Sequence, residues 1–397
     1  MAAQNTTIQE DGFGFVPRPD IKEYGKPYEI VRRYTLTNKQ KATVRLISWG
    51  AGIQSIKVPN KKGVLGDVVL GFDDMNGKIV SPRYLENRYT GSIIGRLVNR
   101  VADGQMRIQK TIYSLSINDK CKRDHIHGGV VGFDNVNWNS YILNKQVVMS
   151  HLSPAGREGY PGYMLTQVKY TWTDDNQLHI NIRATATEPT PANVTNYSLL
   201  NLAGHAAGPK ELKKHVVTIN ADSWTFMDIK NYLPTGIIHS VENTVYDLRL
   251  PTQLTKEVLY RVPGGGYNHN LCICSPSAWC YRFHARIIHP ESGRTLEIYS
   301  NHPGLQFYTG NDLPDPDLVS PPDWEDYIPE FCDYRNETNS MIYGKEGVPY
   351  RRHGAFVLSP QNYPNAINID HFPSCILYPG KVYVHDMTYK FGLLTKV

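Results

Sequence analysis

Apolar and polar residues alternate along much of the chain. Val44 and Leu46 within residues 42–48, Val168, Tyr170 and Trp172 within 167–172, Leu178, Ile180 and Ile182 within 178–184, and Leu296 and Ile298 within 295–300 fall at every second position. That is the pattern of strands with one face buried and the other wet. The polar run Thr173, Asp174, Asp175, Asn176, Gln177 separates two of these stretches and predicts a hairpin. Capped helical patterns are few, so long helices are not expected. With 32 glycines and 26 prolines punctuating short strands, the chain reads as all-β, a large antiparallel architecture.

No glycine-rich loop follows a strand and opens a helix, which removes support for a dinucleotide or P-loop fold, and no repeat of twenty to fifty residues is present. Residues 1–25 are polar and contain Pro17 and Pro19, so they read as a lead-in to one domain spanning 26–397. Within it, residues 313–352 begin with an acidic, proline-rich stretch and read as an irregular loop insertion.

Composition narrows the functional classes. The net charge of +5 in 397 residues comes from interspersed Lys and Arg rather than a basic stripe, which argues against nucleic acid as a partner. No apolar run reaches the roughly 18 residues of a membrane helix, so no membrane association is expected. The first residues lack the basic and apolar regions of a secretory leader, which implies a cytoplasmic protein. Six scattered cysteines suit reduced thiols, and Cys272 and Cys274 do not have zinc-finger spacing; no metal or cofactor is expected.

The candidate chemistry lies in five ordered segments. Residues 91–104 run from Gly91 through Gly95 and Arg96 to Asn99 and Arg100, and residues 125–134 contain His127, Gly128 and Gly129. Residues 191–204 contain Asn196, Tyr197 and Ser198, residues 303–311 contain Gln306, Phe307 and Tyr308, and residues 356–368 contain Ser359 followed by Gln361, Asn362 and Tyr363. With Asp247, Leu248 and Arg249, this series resembles the galactose mutarotases, or aldose 1-epimerases, over about residues 30–395. The resemblance implies a β-supersandwich carrying an open sugar groove across one sheet, with an aldohexose as the small-molecule partner.

What it implies for catalysis is less straightforward. Interconverting the α and β anomers of a hexose requires a base to remove the O1 proton while an acid protonates the ring oxygen, and the roles reverse on closure. Such assistance is typically worth ~10²–10⁴-fold. The family's base is a glutamate, and its position is held by Ser359; its acid is a histidine, and that position is held by Tyr197; a family aspartate is replaced by Asn268. Asn99, Arg100, His127 and Gln306 match the sugar-binding positions. The resemblance therefore implies a carbohydrate-binding member with strongly impaired turnover, or alternatively an active epimerase using Tyr197 and a substitute carboxylate. Asp323, Glu325, Asp326 and Glu330 in the acidic loop are candidates for that carboxylate, with a solvated acidic face as the plainer account of the run. Each residue also has a structural reading: Arg100 as an ion-pair partner, Gln306 as a core hydrogen-bonding group, Tyr197 and Ser359 as space-filling substitutes. A phosphorylated sugar would need further basic groups, for which Arg96 is the nearest candidate.

Overall fold

The computed structural model describes residues 5–17, 27–75, 84, 89–119, 123–228, 232–275, 277, 279–315 and 341–394. Three sheets dominate. A five-stranded sheet at the N-terminal end runs in sequence order from Thr7–Pro17 to Leu65–Asp67. A nine-stranded sheet includes Met164–Trp172, Gln177–Ala186, Arg294–Ser300 and Tyr383–Leu393. A second five-stranded sheet is ordered Leu233–Ser240, Ala221–Asp228, Asn268–Ile273, Gly304–Tyr308, Val357–Gln361. All of their pairings are antiparallel, as the alternation predicts.

The hairpin across residues 173–176 forms as expected, with Trp172 opposite Leu178 and the Thr173 amide donating to the Gln177 carbonyl at 3.0 Å. Leu178, Ile180, Ile182 and Ala184 are buried on one face of that strand, and Val168, Tyr170 and Trp172 on one face of its partner. One hydrophobic cluster joins these residues to Leu36, Val44 and Leu46 of the N-terminal sheet and to Leu271, Leu305, Phe307 and Leu358 of the second five-stranded sheet. The nine-stranded sheet is thus one layer of a sandwich whose other layer comes from both five-stranded sheets. Polar ties fix the layers: the Tyr170 hydroxyl donates to the Ala51 carbonyl (2.6 Å) and the Trp172 indole to the Ala42 carbonyl (3.1 Å).

Two readings of the chain ends need correction. Residues 7–17 are an eleven-residue edge strand paired with Tyr28–Thr37, and the side chains of Phe13 and Val16 are buried beside Val31 and Phe72. Their polar composition reflects the exposed side of an edge rather than a tail. At the other end of the proposed insertion, Ile342–Tyr343 pairs with Pro349–Tyr350, so that part is not irregular. Asp323, Glu325, Asp326 and Glu330 lie outside the described residues. Cys272, Cys274, Cys280 and Cys375 are free thiols, while Cys121 and Cys332 fall outside the described set. Among the described residues, helices are short, and none is long and apolar enough to cross a membrane.

Removing one interlayer tie should be costly out of proportion to its size, because it strands a buried carbonyl. Tyr170→Phe is expected to lower stability by about 1–3 kcal/mol in urea unfolding at unchanged m-value.

Candidate functional site

Strand register places the first part of the site. Asn268 lies opposite Tyr308, and Gln306 lies opposite both Asn270 and Ser359. Gln306 and Tyr308 are two residues apart and so share a face with Asn268 and Ser359. Two short pairings bring in the rest. Arg100–Val101 pairs with His125–Ile126, which sets Asn99 and Arg100 beside His127. Thr195–Asn196 pairs with Ile93–Ile94, and the Tyr197 amide then donates to the Ser92 carbonyl at 2.9 Å.

The side chains meet as a chain of amides. Asn99 Nδ2 donates to Gln306 Oε1 (3.2 Å), and Gln306 Nε2 donates to Asn268 Oδ1 (2.8 Å). The Asn99 amide donates to His127 Nδ1 (3.1 Å), so the imidazole is held by backbone on one edge. Its ring lies 4.8 Å from that of Tyr89 and 5.7 Å from that of Tyr197, which in turn is 6.3 Å from the Tyr308 ring. Asn99, Arg100, His127, Tyr197 and Asn268 are all partly exposed. The structure therefore gathers Asn99, His127, Tyr197, Asn268 and Gln306 into one partly exposed cluster flanked by aromatic rings, the candidate recess.

The other sequence candidates behave differently. Arg100 Nη1 contacts Asp119 (2.5 Å) and Asp124 (3.3 Å), so the guanidinium stands in an ion-pair cluster at the edge of the recess. Ser359 is fully buried; its hydroxyl donates to the Asn196 carbonyl (3.0 Å) and meets Thr195 Oγ1 (3.0 Å). It belongs to the floor. Arg96, the suggested extra basic group, is sealed in the interior with six hydrogen bonds to Ser153, Pro154, Pro161, Gly162 and Thr190. Asp247 and Arg249 form a surface pair at 2.7 Å.

Electrostatics sharpen the contrast with an acid–base site. Burial raises the Tyr197 phenol well above the usual tyrosine value, with Asp312 and Tyr89 adding to the effect. His269 neighbours Asn268 but is buried and pushed down to about 3, so it stays neutral while its Nε2 meets the Tyr246 hydroxyl at 3.1 Å. His269 therefore stays unprotonated near pH 7, and the Tyr197 phenol keeps its proton in the resting state.

The loop after His127 depends on tight backbone geometry. His127, Gly128 and Gly129 all have positive φ (52°, 89° and 95°), and a Cβ on Gly128 would collide with the Gly95 carbonyl. Glu158 fastens this loop by accepting from the Val130 amide (2.8 Å), the Val131 amide (3.0 Å) and the Ser116 hydroxyl.

Comparison with known proteins identifies the family. The family model for aldose 1-epimerase matches residues 32–390. A galactose mutarotase from Bos taurus is 38% identical over 364 residues, covering 91% of this chain and 94% of its own length. The Homo sapiens galactose mutarotase is 38% identical over 351 residues, covering 88% and 91%. The chain belongs to the aldose 1-epimerase family. A crystal structure of an aldose epimerase homologue from C. elegans superposes with a TM-score of 0.74 at 26% identity, covering 90% of this chain and 97% of that one. A galactose 1-epimerase from Lactobacillus acidophilus shares the fold at 0.70 and 19% identity, covering 99% of this chain and 100% of its own.

Sequence reasoning did not single out Tyr89, Glu158 or Asp312, and it named Tyr308 only as part of the matched 303–311 segment. The Tyr308 hydroxyl donates to Asp312 Oδ2 (3.1 Å), and the Asp312 amide donates back to the Tyr308 oxygen (2.9 Å). Asp312 lies just beyond the matched 303–311 segment, so an available signal was a carboxylate two residues after Gly310.

Burial opposes ionisation of the Glu158 carboxyl, but the Ser116, Val130 and Val131 hydrogen bonds and the nearby His125 together hold its pKa below the ordinary value. A folded-state pKa below the unfolded one stabilises above the unfolded value and is lost as pH falls through the folded one. Glu158→Gln should cost about 1–3 kcal/mol at pH 7, and its difference from wild type should shrink below roughly pH 4 in pH-resolved denaturant melts.

Proposed function

We propose that this protein binds a neutral aldohexose in the recess between His127, Asn99, Gln306, Asn268 and Tyr197, and that it interconverts anomers far more slowly than a family member with the full acid–base set. The observation that carries this reading is the continuous chain Asn99–Gln306–Asn268 beside His127, which offers amide donors and acceptors suited to hydroxyl groups. The galactose mutarotase relatives supply the substrate class. Aromatic rings of Tyr89 and Tyr197 beside His127 provide the apolar surface that the C–H face of a sugar needs.

Two features favour impairment. A serine at position 359 cannot accept a proton at neutral pH, and here its hydroxyl is already committed to Asn196 and Thr195. Tyr197 retains a proton it could donate, but burial makes the resulting phenolate unfavourable. A neutral sugar is preferred over a phosphorylated one because Arg100 faces two carboxylates and Arg96 is enclosed. The chain acts in this reading as a sugar-binding protein, with a cytoplasmic setting as expected from its sequence.

The test combines binding with polarimetry. D-galactose or D-glucose should raise the melting temperature in a dose-dependent way, and His127→Ala should abolish the rise. On fresh α-galactose, the triple restoration Tyr197→His, Asn268→Asp, Ser359→Glu should exceed wild type by ~10²-fold or more. Wild-type turnover equal to the restored protein would end the impaired reading, and a melting temperature indifferent to both sugars would end the binding one.

A further inference from the structure

Once Ser359 is out of play, the question is which group near the recess still titrates. Asp312 is the described carboxyl that meets Tyr308 on the face shared with Gln306 and Asn268. Its side chain stays accessible to solvent even though the surrounding protein crowds it. Tyr308 meets it by direct hydrogen bond, and Tyr197, Tyr232, Arg100 and Arg352 lie close enough to couple to its charge. Those groups come from separate parts of the chain, and Tyr197 and Arg100 both belong to the recess.

The turn that carries Asp312 is firmly held. Gly310 has φ +67°, and a Cβ there would press on the Ala355 carbonyl at 2.9 Å. Its carbonyl accepts from the His353 amide (3.0 Å) and the Leu313 amide (3.4 Å), and Asn311 Nδ2 donates to the Tyr267 carbonyl at 3.2 Å. A carboxylate on such a turn is pre-positioned, which is what proton transfer to a bound ligand requires.

We propose that Asp312 is the proton acceptor for the anomeric hydroxyl in this groove, taking over the task of the carboxylate missing at position 359. The proposal rests on the sugar-binding reading above. In the step, the Asp312 carboxylate takes the O1 proton as the C1–O5 bond breaks and C1=O1 forms, while the Tyr197 hydroxyl gives its proton to O5. The aldehyde turns about C1–C2. Closure on the other face then returns the O1 proton from Asp312 and the O5 proton to Tyr197, leaving both groups as they began. Desolvation raises the Asp312 pKa, while the Tyr308 hydrogen bond and the charges of Arg352 and Arg100 lower it. A raised carboxylate is a stronger base than an ordinary one and loses its function on the acid side of its own titration.

The experiment measures saturable polarimetric turnover of α-galactose across pH, and sugar affinity by calorimetry, for wild type, Asp312→Asn and Tyr308→Phe. The expected result is that Asp312→Asn lowers kcat at least tenfold with affinity within threefold of wild type, and that the acid limb of the wild-type profile disappears with it. Tyr308→Phe should move that limb to higher pH, since the lost hydrogen bond favoured the ionised form. Unchanged kcat in Asp312→Asn, a parallel loss of affinity, or wild-type turnover indistinguishable from buffer would each overturn the proposal. Failure of wild type to bind either sugar would overturn the sugar-binding reading itself, whereas intact binding with unaltered kcat removes the role of Asp312 alone.

Discussion

The register of three neighbouring strands, Asn268–Ile273, Gly304–Tyr308 and Val357–Gln361, determines what the recess can do. Side chains alternate between the two faces of a strand, so a slip of one residue at Gly304–Tyr308 would turn Gln306 and Tyr308 into the sandwich and bring Leu305 and Phe307 out. The buried packing of those two against Leu271 and Leu358 prevents it. One face of this sheet therefore serves the hydrophobic core, and the other holds the amide row and the tyrosine that meets Asp312. Core packing and site composition are two sides of the same pairing.

That pairing also fixes the surroundings of the side chain at position 359. The serine hydroxyl finds its partners in the Asn196 carbonyl and Thr195 Oγ1, within the floor itself. A buried polar group is satisfied by whatever donor or acceptor is nearest. Asn268 follows the opposite course. It accepts from Gln306 and so stays fixed in the amide row, where its own side-chain amide remains a hydrogen-bonding group.

Much of the architecture was legible in the sequence because it is written in local alternation. The hairpin of residues 167–184 needs only period-two burial and a polar turn, and it forms with Trp172 opposite Leu178. The resemblance located Asn99, His127, Tyr197, Asn268 and Gln306, and the structure collects them. Arg100 and Arg96 show the limit: their partners Asp119, Asp124, Ser153 and Thr190 are brought to them by the fold, and nothing in a linear motif announces that an arginine will be spent on an internal contact. The edge strand Thr7–Pro17 was obscured for another reason. An edge exposes much of its surface, so its composition resembles that of a tail until the partner strand is known.

Asp312 illustrates the most instructive gap. A search for a replacement carboxylate along the sequence turns naturally to the dense acidic run, because charge density is visible there. That run lies outside the described residues; among those described, a single aspartate at a turn is joined to Tyr308 by a reciprocal pair of hydrogen bonds. Its surroundings contain two cations and three phenols, and phenols that burial has pushed upward remain neutral near pH 7. Among these phenols and the carboxyl, the carboxyl is the group chemically suited to take a proton, while the phenols can only give one.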